Sequence, residues 1–360
     1  MERLKDWKAM VEPFDEQARA QAKEKWDAIA KPLDGLGQLE TMVTLLAGMQ
    51  KTTDVRIDPA TLYIFCADNG VIEEGISQSG AEVTAAVAKS MAGHNSSVCK
   101  MADLAHVETV PVDIGMLSDI SVPGLTVRKT ARGTKNFLRE PAMTEEEVLS
   151  ALQCGWDLAK ESADAKKKLL LTGEMGIGNT TTAAALAAAL LALPAESVCG
   201  RGAGLSDAKL ERKKYVVTYG LTRYRYGKVP VTTSGEAFSL LCNLGGLDIA
   251  GMCGLFIGGA CHGVPVVIDG AISAIAALLA KRIVPGCERY MLASHIGREP
   301  MMHYLLREIG VTPVIAADLA LGEGTGAVML VPLLQMALAV YHTDTVFSEL
   351  SMEPYRRYDV

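Results

Sequence analysis

Glu323 stands in the run Leu-Gly-Glu-Gly-Thr-Gly-Ala at residues 321–327, with a glycine on each side and a strongly apolar stretch after it. A carboxylate confined among small residues beside apolar walls is disfavoured in its charged form, which raises its proton affinity towards that of a general base. A glutamate at a helix start, favoured there by the helix dipole, has the same local pattern, so both readings stay open. A second run, GEMGIGNTTTAAAL at residues 173–186, places Glu174 ahead of Gly176, Ile177, Gly178, Asn179 and Thr180. Free amides at a helix start, the dipole behind them and nearby hydroxyls suit a phosphate, although an ordinary capped helix after a tight turn reads alike. The run is neither a Walker A loop nor a G-x-G-x-x-G fingerprint.

A third glycine run, GRGAG at 200–204, contains Gly202 and Gly204 and is followed by Arg212-Lys213-Lys214. Flexible backbone with nearby cations again suits a phosphate; the alternative is a mobile loop and a solvated basic helix end. The loop DNGVIEEGISQS at 68–79 brings three carboxylates to a strand end, or is simply a polar surface loop. His295, in SHIGREP at 294–300, can line a polar pocket, but a lone histidine is more often structural. No Ser/His/Asp order, H-E-x-x-H or C-x-x-C pair occurs, so neither a metal nor a cofactor is expected.

The elements that must position these residues are legible as periodicities. Apolar runs at 62–66, 107–112, 169–172, 264–268 and 314–317 predict buried parallel strands. Helical periods cover 12–30, 38–49, 181–193 and about 332–341, and the last is expected to pack with the N-terminal helices. Strands alternating with helices predict an α/β fold with a mainly parallel sheet, and in such sheets ligands bind beyond the carboxyl ends of the strands. The glycine runs fall at those ends.

Composition excludes several classes. The chain has 360 residues, and about 150 residues per domain suggests two domains. Hydrophobic residues at 49% and charged residues at 21% are the balance of a folded chain. A net charge of −7 speaks against a nucleic-acid partner, and Lys166-Lys167-Lys168 reads as a solvated helix-to-strand junction. The apolar stretch 249–279 is cut by His262, Pro265 and Asp269, leaving no run near the roughly 20 residues a bilayer needs, so no membrane span is expected. Residues 1–50 lack the apolar segment of a signal peptide, and eight scattered cysteines read as thiols in a reducing, cytoplasmic compartment.

Taken in order, KPLDGLGQLE (31–40), FCADNGVIEEGISQSGAEVT (65–84), GEMGIGNTTTAAAL, GRGAGLSDAKLERK (200–213), GVPVVIDGAISAIAALLA (263–280), SHIGREP and LGEGTGAV (321–328) resemble the nicotinate-nucleotide–dimethylbenzimidazole phosphoribosyltransferase family, over residues 31 to about 350. The resemblance implies a Rossmann-like, mainly parallel sheet as a large domain, residues 56–331, with a small helical domain from residues 1–55 and 332–360. It implies homodimers that act on two small molecules, nicotinate mononucleotide and an aromatic base, in cobamide synthesis. Glu323 is then the base that takes the proton, and Glu174 lies near the ribose, where its charge would steady an oxocarbenium-like transition state. Gly176, Ile177, Gly178, Asn179, Thr180, Gly202, Gly204 and Lys213 match the phosphate and ribose contacts. Ser77, Gln78, Ser79, Ser294, His295 and Leu321 match the base pocket. The chain departs from the family in Asp34-Gly35, in Asn69 and in Ala85-Ala86 after Thr84. The last of these falls where the family's loop borders the base, which leaves phenolic or purine acceptors, or a non-catalytic subunit of a paired complex, as alternatives.

Overall fold

Six strands form one sheet in which every neighbouring pair is parallel: β1 (Ala60–Ala67), β2 (Val107–Gly115), β3 (Thr126–Val127), β4 (Leu169–Met175), β5 (Val266–Ile268) and β6 (Met291–Ala293). The order is β3-β2-β1-β4-β5-β6. Two short strands, β7 (His295–Ile296) and β8 (Ile315–Ala316), pair separately. This computed structural model describes residues 2–343 and 345–358.

The apolar runs form strands because both faces of the sheet are covered by helices. β1 is buried along its whole length, and so are Leu169, Leu170 and Leu171 of β4. The helix Leu247–Cys261 is buried at every position and packs mainly against the helix Glu145–Asp164, so the most apolar stretch of the chain is the centre of the core. No helix among the described residues is long and apolar enough to cross a membrane. The order of strands across the sheet reverses between β1 and β4, which lie side by side although β2 and β3 come between them in sequence. That is a topological switch point, where diverging loops leave a crevice.

Three expectations shift. The run at 314–317 yields β8, outside the main sheet, whereas β3 and β6 are edge strands too short to show a period. The helix expected over 12–30 is Glu16–Ala28, because Asp15 accepts the amide of Ala18 at 2.9 Å and caps its start just after Pro13. The helix expected from about 332 begins at Thr325 and carries Pro332 inside it, so the boundary drawn at 331/332 falls within one helix. The terminal helices do meet: Trp26 packs on Tyr341 with ring centroids 5.0 Å apart, and the Tyr341 hydroxyl donates to the Thr53 carbonyl at 3.0 Å. Trp7, in contrast, stacks on Trp156 of the helix Glu145–Asp164.

Candidate active site

β4 delivers the first half of the site. The strand ends at Met175, and Gly176, Ile177 and Gly178 turn the chain into the helix Asn179–Leu191. Gly178 has φ of 96°, a left-handed conformation that glycine adopts without penalty. Thr84 reaches in from a neighbouring helix, and its Oγ1 accepts the Ile177 amide at 3.2 Å, which fixes the turn. The start of the helix therefore faces a cavity of about 270 Å³, lined among others by Gly176, Ile177, Gly178, Asn179 and Thr180. A helix start with its dipole aimed into a cavity attracts an anion.

Behind this turn the buried Asn179 amide donates to two carboxylates, Glu174 Oε2 and, at 3.1 Å, Asp248 Oδ2. Burial and the Asp248 charge push Glu174 up to about 8, and burial pushes Asp248 up to about 6. Two acids that share one amide in a dry site cannot both ionise cheaply.

The second half is the turn that carries Glu323. Gly322, Glu323 and Gly324 have φ of 78°, 61° and 89°, three left-handed residues in succession. For glutamate this backbone costs on the order of 1–3 kcal/mol, and such strain persists only where the surroundings hold it. Here Asp269, at the end of β5, accepts the amides of Gly324 at 3.2 Å and Ala327 at 3.0 Å. It thereby caps the helix Thr325–Tyr341, whose own start has no side-chain cap. Glu323 lines the cavity, and its Oε2 is buried without a hydrogen-bond partner among the described residues. Burial, then the charge of Asp269, raise its proton affinity above that of an ordinary glutamate. Glu174 adjoins this turn: a Cβ on Gly322 would stand 2.5 Å from Glu174 Oε1.

The structure brings most of the sequence-selected residues together. Gly202 lines the cavity and its amide donates to Glu299 Oε1 at 3.1 Å, whereas Gly204 sits at the rim, where its carbonyl accepts from the Gln78 amide. Ser77, Gln78, His295 and Leu321 line the cavity. Ser79 does not; it is exposed, and its amide is turned back onto Ser77 Oγ. Ser294 does not either: its buried hydroxyl donates to the Ile268 carbonyl at 2.7 Å and lies 2.9 Å from His295 Nδ1, so it orients the histidine. Lys213 is fully buried behind the wall, donating to Thr180 Oγ1 and the Gly200 carbonyl, both at 3.1 Å. It is not part of a solvated basic run. Its helix buries Val216, Val217 and Gly220 as well, and that spacing is the signal that would have turned Lys213 inward. The carboxylates Glu73 and Glu74 are held by Arg139 and Arg212, so that loop is braced by ion pairs instead of offering a cluster of acids.

Asp248, Asp269, Arg298 and Glu299 complete the site, yet none stood out in the sequence. Asp269 interrupts an apolar stretch at a strand end, and a carboxylate there was the one available clue. Asp248, alone in an apolar helix, carried none.

An anion-suited helix start and a shielded carboxylate share one crevice of a parallel sheet, which makes it a site for a small anionic substrate beside a proton acceptor. A family profile described as Phosphoribosyltransferase matches residues 11–351. The nicotinate-nucleotide–dimethylbenzimidazole phosphoribosyltransferase of Pseudomonas putida KT2440 is 36% identical over 347 residues, 96% of this chain and 97% of that one. The enzyme of the same name from Thermus thermophilus is 37% identical, over 92% and 97%. The crystal structure of CobT from Thermus thermophilus superposes with a TM-score of 0.87 at 35% identity, covering 94% of this chain and 99% of that one. The chain belongs to the nicotinate-nucleotide–dimethylbenzimidazole phosphoribosyltransferase family.

Proposed function

We propose that this enzyme transfers the phosphoribosyl group of nicotinate mononucleotide to a lower-ligand base, 5,6-dimethylbenzimidazole or a close analogue, giving nicotinate and the α-riboside 5′-phosphate for cobamide synthesis. The observation that carries the reading is the buried, unpartnered Glu323 Oε2 on the wall of the cavity that the helix start Asn179 also enters. The bond from ribose C1 to the pyridinium nitrogen breaks, and its electron pair neutralises the ring. A nitrogen of the incoming base bonds to C1 from the opposite face, and the proton on its other nitrogen passes to Glu323. The glycine turn at 176–178 and Gly202 hold the phosphate, with Lys213 adding its charge from behind through Thr180. Ser77, Gln78, His295 and Leu321 border the base. Glu174 lies near the ribose in this reading; pushed up to about 8 by burial and the Asp248 charge, it donates a hydrogen bond there when protonated and steadies developing positive charge when ionised.

We further take the enzyme to be a cytoplasmic homodimer; its eight free thiols suit a reducing compartment. The terminal segments, with the helix Thr325–Tyr341 kept whole, form its helical unit, a grouping supported by the Trp26–Tyr341 contact. Light scattering giving the mass of one chain would reject the dimer. The activity is tested by Glu323→Gln, which is expected to fold and bind mononucleotide while kcat falls about a hundredfold to ten-thousandfold. An unchanged kcat removes Glu323 as the base. Identification of the riboside formed from mixed benzimidazoles and phenols decides the acceptor.

A further inference from the structure

We infer that Asp269 is the positioning residue of this site: by holding the amides of Gly324 and Ala327 it fixes the left-handed turn that aims Glu323 into the cavity. The inference rests on Glu323 being the proton acceptor, and it adds a residue that acts through Glu323.

Asp269 is itself held from both sides. Its amide donates to Ser273 Oγ at 3.2 Å, and its carbonyl accepts from Ser294 Oγ at 3.2 Å. Its two carboxylate oxygens each take one amide from the first turn of the helix that follows Glu323, at 3.2 and 3.0 Å. The carboxylate is buried, with 2% of its surface exposed, and lies on the cavity wall. The glycines on either side of Glu323 give the turn no stiffness of their own, since glycine accepts either hand of backbone. What selects the left-handed path is the anchor beyond it. A helix start tied by one carboxylate through two amides can neither slide nor rotate without losing both bonds, and Glu323 is the residue next to the tied Gly324.

The charge adds a second effect. Asp269 raises the proton affinity of Glu323, next after burial itself. The other titratable and charged groups around the pair are Glu174 from β4 with Asp248 behind it, His295 from β7, Arg298 and Glu299 from the segment after β7, and Arg201 from the glycine run. Burial raises the proton affinity of Asp269 and lowers that of His295, and each of the two opposes that shift in the other. The neighbouring His295, the aligned amides of Ala327 and Gly324 and the helix dipole are what stabilise its charge against burial.

The test compares Asp269→Asn and Asp269→Glu with the parent enzyme in steady-state turnover of nicotinate mononucleotide and 5,6-dimethylbenzimidazole across pH. Asp269→Asn is expected to lower kcat roughly tenfold to a hundredfold, as a misaimed base would, with the KM for mononucleotide within about twofold. It also moves the acid limb of the kcat profile to lower pH, because a neutral amide no longer raises Glu323. Asp269→Glu keeps the charge but displaces it, so kcat falls with the limb in place. If Asp269→Asn keeps its kcat, or loses kcat with the limb unmoved, the inference is overturned. If Asp269→Asn does not fold by circular dichroism, Asp269→Glu decides, and parental kcat in that variant overturns it. Failure of the underlying reading shows separately, as full kcat in Glu323→Gln.

Discussion

Gly173 of β4 lies directly against the backbone of Glu323: a Cβ at residue 173 would stand 2.7 Å from the Glu323 carbonyl oxygen. The strand that carries Glu174 and the turn that holds Glu323 thus touch backbone to backbone, and the spacing of the two carboxylates is set by the missing side chain. Gly173→Ala forces the turn outward, since a carbonyl in a tied loop cannot swing aside as a flexible side chain would. Overpacking of this kind costs about 1–3 kcal/mol. A lower denaturation midpoint together with at least a tenfold loss of kcat is expected, in line with displacement of a reacting group. Full activity in the alanine variant would show that the contact does not set the site.

The acid pair makes stability depend on pH in an unusual direction. A carboxylate raised in the folded state contributes stability that is complete below its ordinary value and is lost as pH rises through the folded one. For Glu174 that window runs from about 4.5 to about 8. Glu174→Gln can still accept the Asn179 amide but has no proton to lose. Melting curves of the two proteins should therefore diverge as pH rises through this window, with the glutamine variant gaining on the parent. Parallel curves would mean that Glu174 is already ionised at neutral pH, and its hydrogen-bond-donor role would fall.

The sequence exposed the parts of this site whose signal is local. Strand β4, the glycine turn and the opening of the helix Asn179–Leu191 are contiguous, so residue type and order suffice to locate them. Glu323 was visible as a carboxylate among glycines, but its left-handed backbone was not, because that conformation is imposed by Asp269 and Gly173 from distant parts of the chain. Lys213 and its neighbours Arg212 and Lys214 look alike in the sequence, and only the helical face distinguishes the buried one from the pair that reach glutamates at the surface. Ser79 and Ser294 lie off the cavity wall for the converse reason: nearness in sequence to lining residues says nothing of which way a hydroxyl turns. In the sheet, β3 and β6 escaped because two or three residues hold no period.

Thr84 offers a test of the glycine turn from outside it. Its hydroxyl is the partner of the Ile177 amide, and it is buried. Thr84→Val keeps the shape and removes the acceptor, so the part-buried Ile177 amide loses its partner at a cost of about 0.5–1.5 kcal/mol. The turn that faces the phosphate should loosen, so the KM for mononucleotide rises severalfold while the KM for the base stays near parental. Equal rises in both constants would point to general loosening instead.

Lys213 separates the phosphate reading from a purely structural one. The ammonium is buried, with burial lowering its proton affinity and the charge of Glu299 opposing that loss. It reaches the cavity through Thr180 Oγ1. Lys213→Met keeps the apolar stem and deletes the charge, and it leaves Thr180 Oγ1 and the Gly200 carbonyl without their donor. A structural lysine would lose stability, about 1–3 kcal/mol, with kinetic constants unchanged. A lysine that polarises Thr180 towards a phosphate loses binding as well. The expected result is a KM for nicotinate mononucleotide raised about tenfold, the affinity equivalent of some 1.4 kcal/mol, with kcat at saturation within about threefold of the parent. Because the base binds without a phosphate, its KM should not move, and a matching rise there would place Lys213 among the residues that merely support the wall.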